Sequence, residues 1–314
     1  MRVRFHLPSF TQHFGVNLGI ASLLKNCPQY FREGVEIASV FGTFPQSLWN
    51  GGRTTDGRCD LNEAKRIITT FNNMGIPLRF TFTNPVLEKK HLRDKFCNDV
   101  MKLADNGFNE VIVNSPLLET YIRENYPNYR LTSSTCKRIT DLERLSAELE
   151  KDYSLVVLDY DFNNKYELLE QVPHKEKCEI LINPCCDPNC KMRVEHYRRI
   201  GVQQLEFCEH LEKHPNKPFD SQASAKRTSM GCGCEERTVF DVRKLPNNIS
   251  PEAIWEKYVP MGFEHFKIEG RTLNKLNVIE SYMYYLIKPE CRDEARFVLL
   301  YNLGRNGFIR GIAE

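Results

Sequence analysis

Short apolar or β-branched runs alternate with amphipathic stretches along this chain. The runs Val3–His6, Val35–Val40, Leu78–Phe82, Glu110–Val113, Tyr129–Thr132, Ser154–Leu158, Cys178–Ile182 and Glu264–Ile268 read as strands. They are short and apolar, the signature of parallel strands buried on both faces. Between them, Leu92, Phe96, Val100 and Leu103 recur on one helical face that ends at a glycine stop. Thr140 and Glu143 have the spacing of a capping box. Ser250 followed by Pro251 predicts an N-cap and first helical position.

Strand and helix alternating about eight times predict an α/β chain folded as a (β/α)8 TIM-like barrel. A doubly wound open sheet is the alternative, because alternation does not reveal closure. Gln204–Phe207 is a possible further strand. His210 to Asn248 is rich in Pro, Lys, Ser and Asn and reads as a long loop. The expected organisation is one barrel over 1–290, a Cys-bearing insertion over about 184–248 late in the barrel, and a C-terminal extension over 291–314. No repeat of fixed period is evident.

The barrel places chemistry at the C-terminal ends of the strands. Polar residues recur there: Thr83 and Asn84, Asn114 and Ser115, Ser133 to Thr135, Asp159 and Asp161, Asn183, and Glu269 with Arg271. Each alone is as readily a turn or cap; their recurrence at one end is the informative feature.

Composition changes this picture little until cysteine is reached. The 314 residues are 41% hydrophobic and 27% charged with a formal net charge of +2, as in an ordinary globular protein. No basic stripe interleaved with aromatics marks a dominant nucleic-acid surface, although a local patch can still hold RNA. MRVRFHLPSF does not read as a signal peptide and no apolar run has membrane-spanning length. Twelve cysteines without a secretion signal suggest reduced thiols in the cytoplasm. Cys27, Cys59, Cys97, Cys136, Cys178 and Cys291 are most simply small buried hydrophobes or inert surface thiols.

Six cysteines crowd between Ile182 and Glu235. Cys185, Cys186 and Cys190 directly follow a predicted strand, Cys208 stands alone, and Cys232 and Cys234 form a second close pair. A CxxxC pair and a CxC pair on separate segments supply four soft ligands for zinc or an iron–sulfur cluster. Neither pair has the CxxC spacing usual in structural zinc sites. Arg193 occupies the third position of the CxxxCxxC pattern, which excludes the radical-SAM arrangement. His210 and His214 are i, i+4 but read as a solvated pair, while His196 is either structural or substrate-facing. No HExxH, GxSxG, Walker loop or GxGxxG is present.

The run LINPCCDPNCKMRVEHY resembles the Asn–x–x–Cys–x3–Cys–x–x–Arg–x–x–His segment of the peptidase U32 and U32-like family, and FKIEGR at 266–271 resembles that family's Phe-Lys-Ile-x-Gly-Arg signature. Softer similarity extends from about residue 75 to 287. The chain departs from the family in doubling the first ligand position with Cys185 and compressing the second pair to Cys-Gly-Cys. It also lacks the Gly-x-Cys signature of the more strongly peptidase-like members.

The resemblance implies a TIM-like barrel holding a [4Fe–4S] cluster on Cys186, Cys190, Cys232 and Cys234, with zinc as the alternative. It also implies oxygen-independent hydroxylation of an RNA base or a small aromatic, with prephenate as oxygen donor, and a partner protein of the same family for some members. On this reading Glu269, Arg271 and His196 are the expected catalytic residues. Asn84, Asn114, Asp159, Asn183 and Arg193 are the expected substrate contacts. Arg271 has the bidentate geometry to clamp a carboxylate or phosphate. The competing readings are a metal-stapled interaction protein and a peptidase.

Overall fold

Eight strands, each hydrogen-bonded to the next and the last to the first, close into an all-parallel barrel in a computed structural model that describes residues 2–51, 57–231, 233–270 and 274–310. They are β1 Val3–Pro8, β2 Val35–Gly42, β3 Leu78–Phe82, β4 Glu110–Val113, β5 Arg130–Ser133, β6 Leu155–Val157, β7 Cys178–Leu181 and β8 His265–Lys267. Closure pairs Arg4 with His265 and His6 with Lys267. The open-sheet alternative is thereby excluded. In β3, β4, β6 and β7 every residue is buried, which is why these strands read as continuous apolar runs rather than alternating ones.

The helices are α1 Phe14–Asn26, α2 Leu61–Asn73, α3 Lys95–Ala104, α4 Pro116–Asn125, α5 Leu142–Leu149, α6 Tyr166–Glu170, α7 Arg193–Lys213, α8 Ser221–Thr228, α9 Val239–Val242, α10 Pro251–Ala253, α11 Lys275–Leu286 and α12 Arg292–Arg305. Ser250 caps α10 through the Ala253 amide, as its sequence predicts. The α5 cap is Asp141, one residue later than the Thr140 expectation, because its carboxylate accepts the Arg144 amide at 2.9 Å. In α3, Asp94 caps the helix and Leu92 falls in the preceding 3-10 turn.

Two expectations about the insertion are corrected. Gln204–Phe207 is helical, part of the 21-residue α7. The stretch from His210 to Asn248 holds the end of α7 together with α8 and α9 rather than being one loop. The buried stripe of α7 includes Arg193, His196, Gln203 and Gln204 beside Ile200 and Phe207, so its helical period is carried by polar residues that hydropathy does not register.

Charged residues fill the lower half of the barrel interior. Glu179 on β7 is fully buried and bound by the guanidinium of Arg79 from β3 and by Lys267 Nζ of β8 at 2.8 Å. Arg79 also donates to Thr132 Oγ1 at 2.8 Å and meets Glu110 at 3.3 Å. His6 joins Ser39 at 2.6 Å and His265 at 2.9 Å. Opposite charges held at such distances offset much of the desolvation that burial imposes. At the outer wall, α12 turns Ala295, Leu299 and Leu303 inward, and Leu299 and Leu303 lie beside Gly19 of α1.

Candidate metal centre at the barrel mouth

Beyond β7 and β8 the backbones stay paired past the strand ends. Ile182 donates to the Lys267 carbonyl at 3.0 Å, and the Asn183 side chain clasps Glu269 from both sides. Its Nδ2 donates to the Glu269 carbonyl at 3.1 Å and its Oδ1 accepts the Glu269 amide at 2.6 Å. Asn183 therefore fixes where the first thiol-bearing turn leaves the barrel.

The adjacent thiols of that turn face different partners. The Cys185 amide and thiol both donate to the Glu269 carboxylate, at 3.0 Å and 3.6 Å. Cys186 is buried with Tyr160 and Leu181, and Cys190 packs against that group. Interaction with Cys234 outweighs burial and, with Tyr160, Cys190 and Arg193, pulls the Cys186 thiol down to about 6. Burial pushes Cys190 up, and the neighbouring Cys186 adds to that shift. Cys186 and Cys190 thus pack together, and Cys234, on a segment more than 40 residues onward, interacts with Cys186.

Polar contacts hold the second segment against the first. Arg237 donates through Nη1 to the Cys185 carbonyl at 2.7 Å and through Nη2 to both Asp187 oxygens at 2.9 Å. Asn247 Nδ2 donates to the Cys186 carbonyl at 3.0 Å. Asn163 Nδ2 donates to the carbonyls of Leu181 and Asn247, both at 2.8 Å, and so bolts the returning chain to β7. Arg237, Asn247 and Asn163 had no signal in the sequence beyond nearness to cysteine or to a strand end.

Cys232 and Arg271 lie outside the described residues. Among the described residues no group of three or more His, Cys, Asp or Glu side chains is arranged to hold a metal ion, and no disulfide is formed. The donor chemistry nonetheless fits a soft-ligand group: thiols on two facing segments, with one thiol already inclined to ionise.

The remaining candidate residues are distributed around the mouth. Asp159 accepts from Arg193 at 2.8 Å and from Arg138 at 2.7 Å. Burial raises its carboxyl above the usual range despite the two arginines. Asp161 is also penalised by burial, but the Asn189 amide and both arginines outweigh this and hold it below that range. Arg193 is fully buried between these carboxylates. His196 lies buried on α7 one turn onward. Asn114 is half-buried at the end of β4. Asn84 is fully buried, donating to the Leu48 and Gly201 carbonyls at 3.2 Å and accepting the Val86 amide.

The Gly201 contact belongs to a longer arrangement. From Arg193 at the β6 end, α7 reaches Gln204, whose Nε2 donates to the Pro45 and Ser47 carbonyls at 2.8 Å and 3.1 Å beyond β2. A helix rises about 16 Å over that interval. Strands β6 and β2 stand on opposite sides of an eight-stranded ring, so α7 lies across the mouth as a bar.

Among the described residues no helix is long and apolar enough to cross a membrane. No protein-family model matches the chain, and no curated protein matches it. Its structure is similar to a solved one described as the structure of the U32 peptidase Mk0906, at 11% sequence identity and a TM-score of 0.49, covering 86% of this chain and 94% of that one. The likeness is one of overall fold alone.

Proposed function

We propose that the protein is an iron–sulfur enzyme of the U32-like type, with Cys186, Cys190, Cys232 and Cys234 as ligands of a [4Fe–4S] cluster. The observation supporting this reading is that the buried Cys186 and the adjoining Cys190 lie just past β7 at the C-terminal end of a closed barrel, with the segment that carries Cys234 fastened against theirs by Arg237. A cluster held there by four thiolates would supply redox chemistry. Cys185 is left off the cluster, because its thiol is turned to Glu269. Glu269, fixed by the Asn183 clasp, would then accept or return a proton beside the thiols, with Arg271 and His196 contacting an RNA base or a small aromatic whose hydroxyl oxygen, and the oxidising equivalents for its insertion, come from an organic oxygen donor of the prephenate class.

A metal serving only as a staple is the less economical reading. Arg237, Asn247 and Asn163 already fasten the two segments without one.

The test is iron and sulfide content with a visible spectrum on protein purified without oxygen. About four of each per chain, with a brown chromophore that bleaches on reduction, is the expected result. Cys190→Ala, Cys232→Ala and Cys234→Ala each strip or weaken the cluster, whereas Cys97→Ala, buried in the hydrophobic core, leaves it intact. Full iron retention in the Cys190 variant, or one zinc and no colour in the wild type, sinks the assignment.

A further inference from the structure

Arg193 and Asp161 occupy a closed, buried set of charges beside the thiols. Arg193 opens α7 three residues after Cys190. Its Nη1 donates to Asp159 Oδ1 at 2.8 Å and its Nη2 to Asp161 Oδ1 at 2.9 Å. From the other side, Arg138 Nη1 bridges Asp159 Oδ2 at 2.7 Å and Asp161 Oδ2 at 3.1 Å. Two arginines meet two carboxylates, so the set is neutral as a whole.

Two thiols of the first segment, Cys186 and Cys190, lean on it. Asp161 Oδ1 accepts the Asn189 amide at 2.8 Å, and Asn189, at φ 56°, is the residue before Cys190. A left-handed residue there needs holding, since its side chain crowds its own backbone. The Arg193 amide closes the same turn on the Cys190 carbonyl at 3.4 Å. Tyr160 lies with its ring 3.7 Å from the Arg193 guanidinium and packs in the small buried group that contains Cys186.

Buried ion pairs of this kind add little net stability over apolar packing, because desolvation consumes most of the attraction. What they supply is orientation, and a guanidinium spanning two carboxylates while stacked on a ring does this as a lysine does not. We infer that Arg193 and Asp161, braced by Asp159 and Arg138, are positioning residues that fix the Cys186–Cys190 turn in its ligand geometry. Arg193 then acts on the reaction through the thiols and not by touching substrate. The inference rests on the proposed metal site and names how that site is kept in place.

The experiment compares wild type with Arg193→Lys and Asp161→Asn by two readouts. The first is iron retained against a chelator in anaerobically purified protein. The second is iodoacetamide labelling of Cys186 and Cys190 in metal-free protein, resolved by mass spectrometry against Cys27 as internal reference. Circular dichroism and thermal melting establish folding, and Asp161→Asn carries the test if Arg193→Lys does not fold. The expected result is an approximately 10-fold or larger loss of metal affinity, the usual scale for outer-shell partners, with several-fold altered labelling of both thiols. Full iron retention with unchanged labelling overturns the inference. A wild type that binds no iron defeats the functional proposal alone. The labelling comparison then decides: a changed ratio upholds the positioning role and an unchanged one ends it.

Discussion

At Gly201 a single hydrogen decides how α7 docks. A Cβ built there would stand 2.5 Å from Asn84 Oδ1, 3.0 Å from Pro85 Cδ and 3.2 Å from Val86 Cγ2. Gly201→Ala gains about 1 kcal/mol of helix propensity and loses about 1–3 kcal/mol to overpacking, and the fixed, hydrogen-bonded Asn84 puts the loss at the upper end. A lowered melting temperature is expected, and a melting curve no lower than that of wild type would show that the helix shifts freely. Residues of this kind explain what the sequence could and could not reveal. The thiol pairs were legible because cysteine at short spacing has few other uses. Arg237, Asn247 and Asn163 were not, because an arginine or asparagine in a polar stretch has many. The direction of Cys185 was equally hidden, since neighbouring residues in a turn diverge according to partners that only the folded chain brings near.

Strands were the most legible elements and α7 the least. All eight predicted runs correspond to observed strands, with boundaries displaced by two residues at most. Burial on both faces demands apolar runs, and such runs are conspicuous. By contrast, α7 buries Arg193, His196, Gln203 and Gln204, the first and last of them on polar partners at the mouth, so its inner face resembles a surface in hydropathy. The strands also carry a pH dependence. Burial lowers His265 on β8 to about 4 and holds His6 on β1 well below its usual value. Both stay neutral in the folded protein, whereas the unfolded chain protonates them near pH 6.5. Their contribution is therefore complete above about pH 6.5 and is lost as pH falls from there toward the folded values, at up to about 1.4 kcal/mol per pH unit for each. Denaturant midpoints measured from pH 7.5 to 5 are expected to fall. His6→Gln and His265→Gln flatten the slope, and a profile as steep in the double variant as in wild type would assign it elsewhere.

The whole molecule depends on its last described helix as well as on its ring. Leu299 and Leu303 of α12 reach Gly19 of α1, and Phe308 beyond α12 lies where a Cβ on Gly15 would stand. Residues 299–308 thus cover the outer wall of the barrel's first helix. Leu299→Ala is expected to cost about 2–5 kcal/mol, the range for emptying a buried leucine site, read as a lower denaturant midpoint with the fold retained. A shift below about 0.5 kcal/mol, the level of a surface change, would mean that α12 is dispensable. The pairing of β1 with β8 has a temporal consequence. A chain that leaves the ribosome from its N-terminus holds β1 without one neighbour until His265–Lys267 emerges, and contacts so distant in sequence form slowly. The Asn183 clasp on Glu269 and the Ile182 bond to Lys267 are made only then, so the turn bearing Cys185, Cys186 and Cys190 takes its final course after β8 has been synthesised. A cluster proposed for these thiols would therefore find its ligand turn in place only once β8 has closed the barrel against β1.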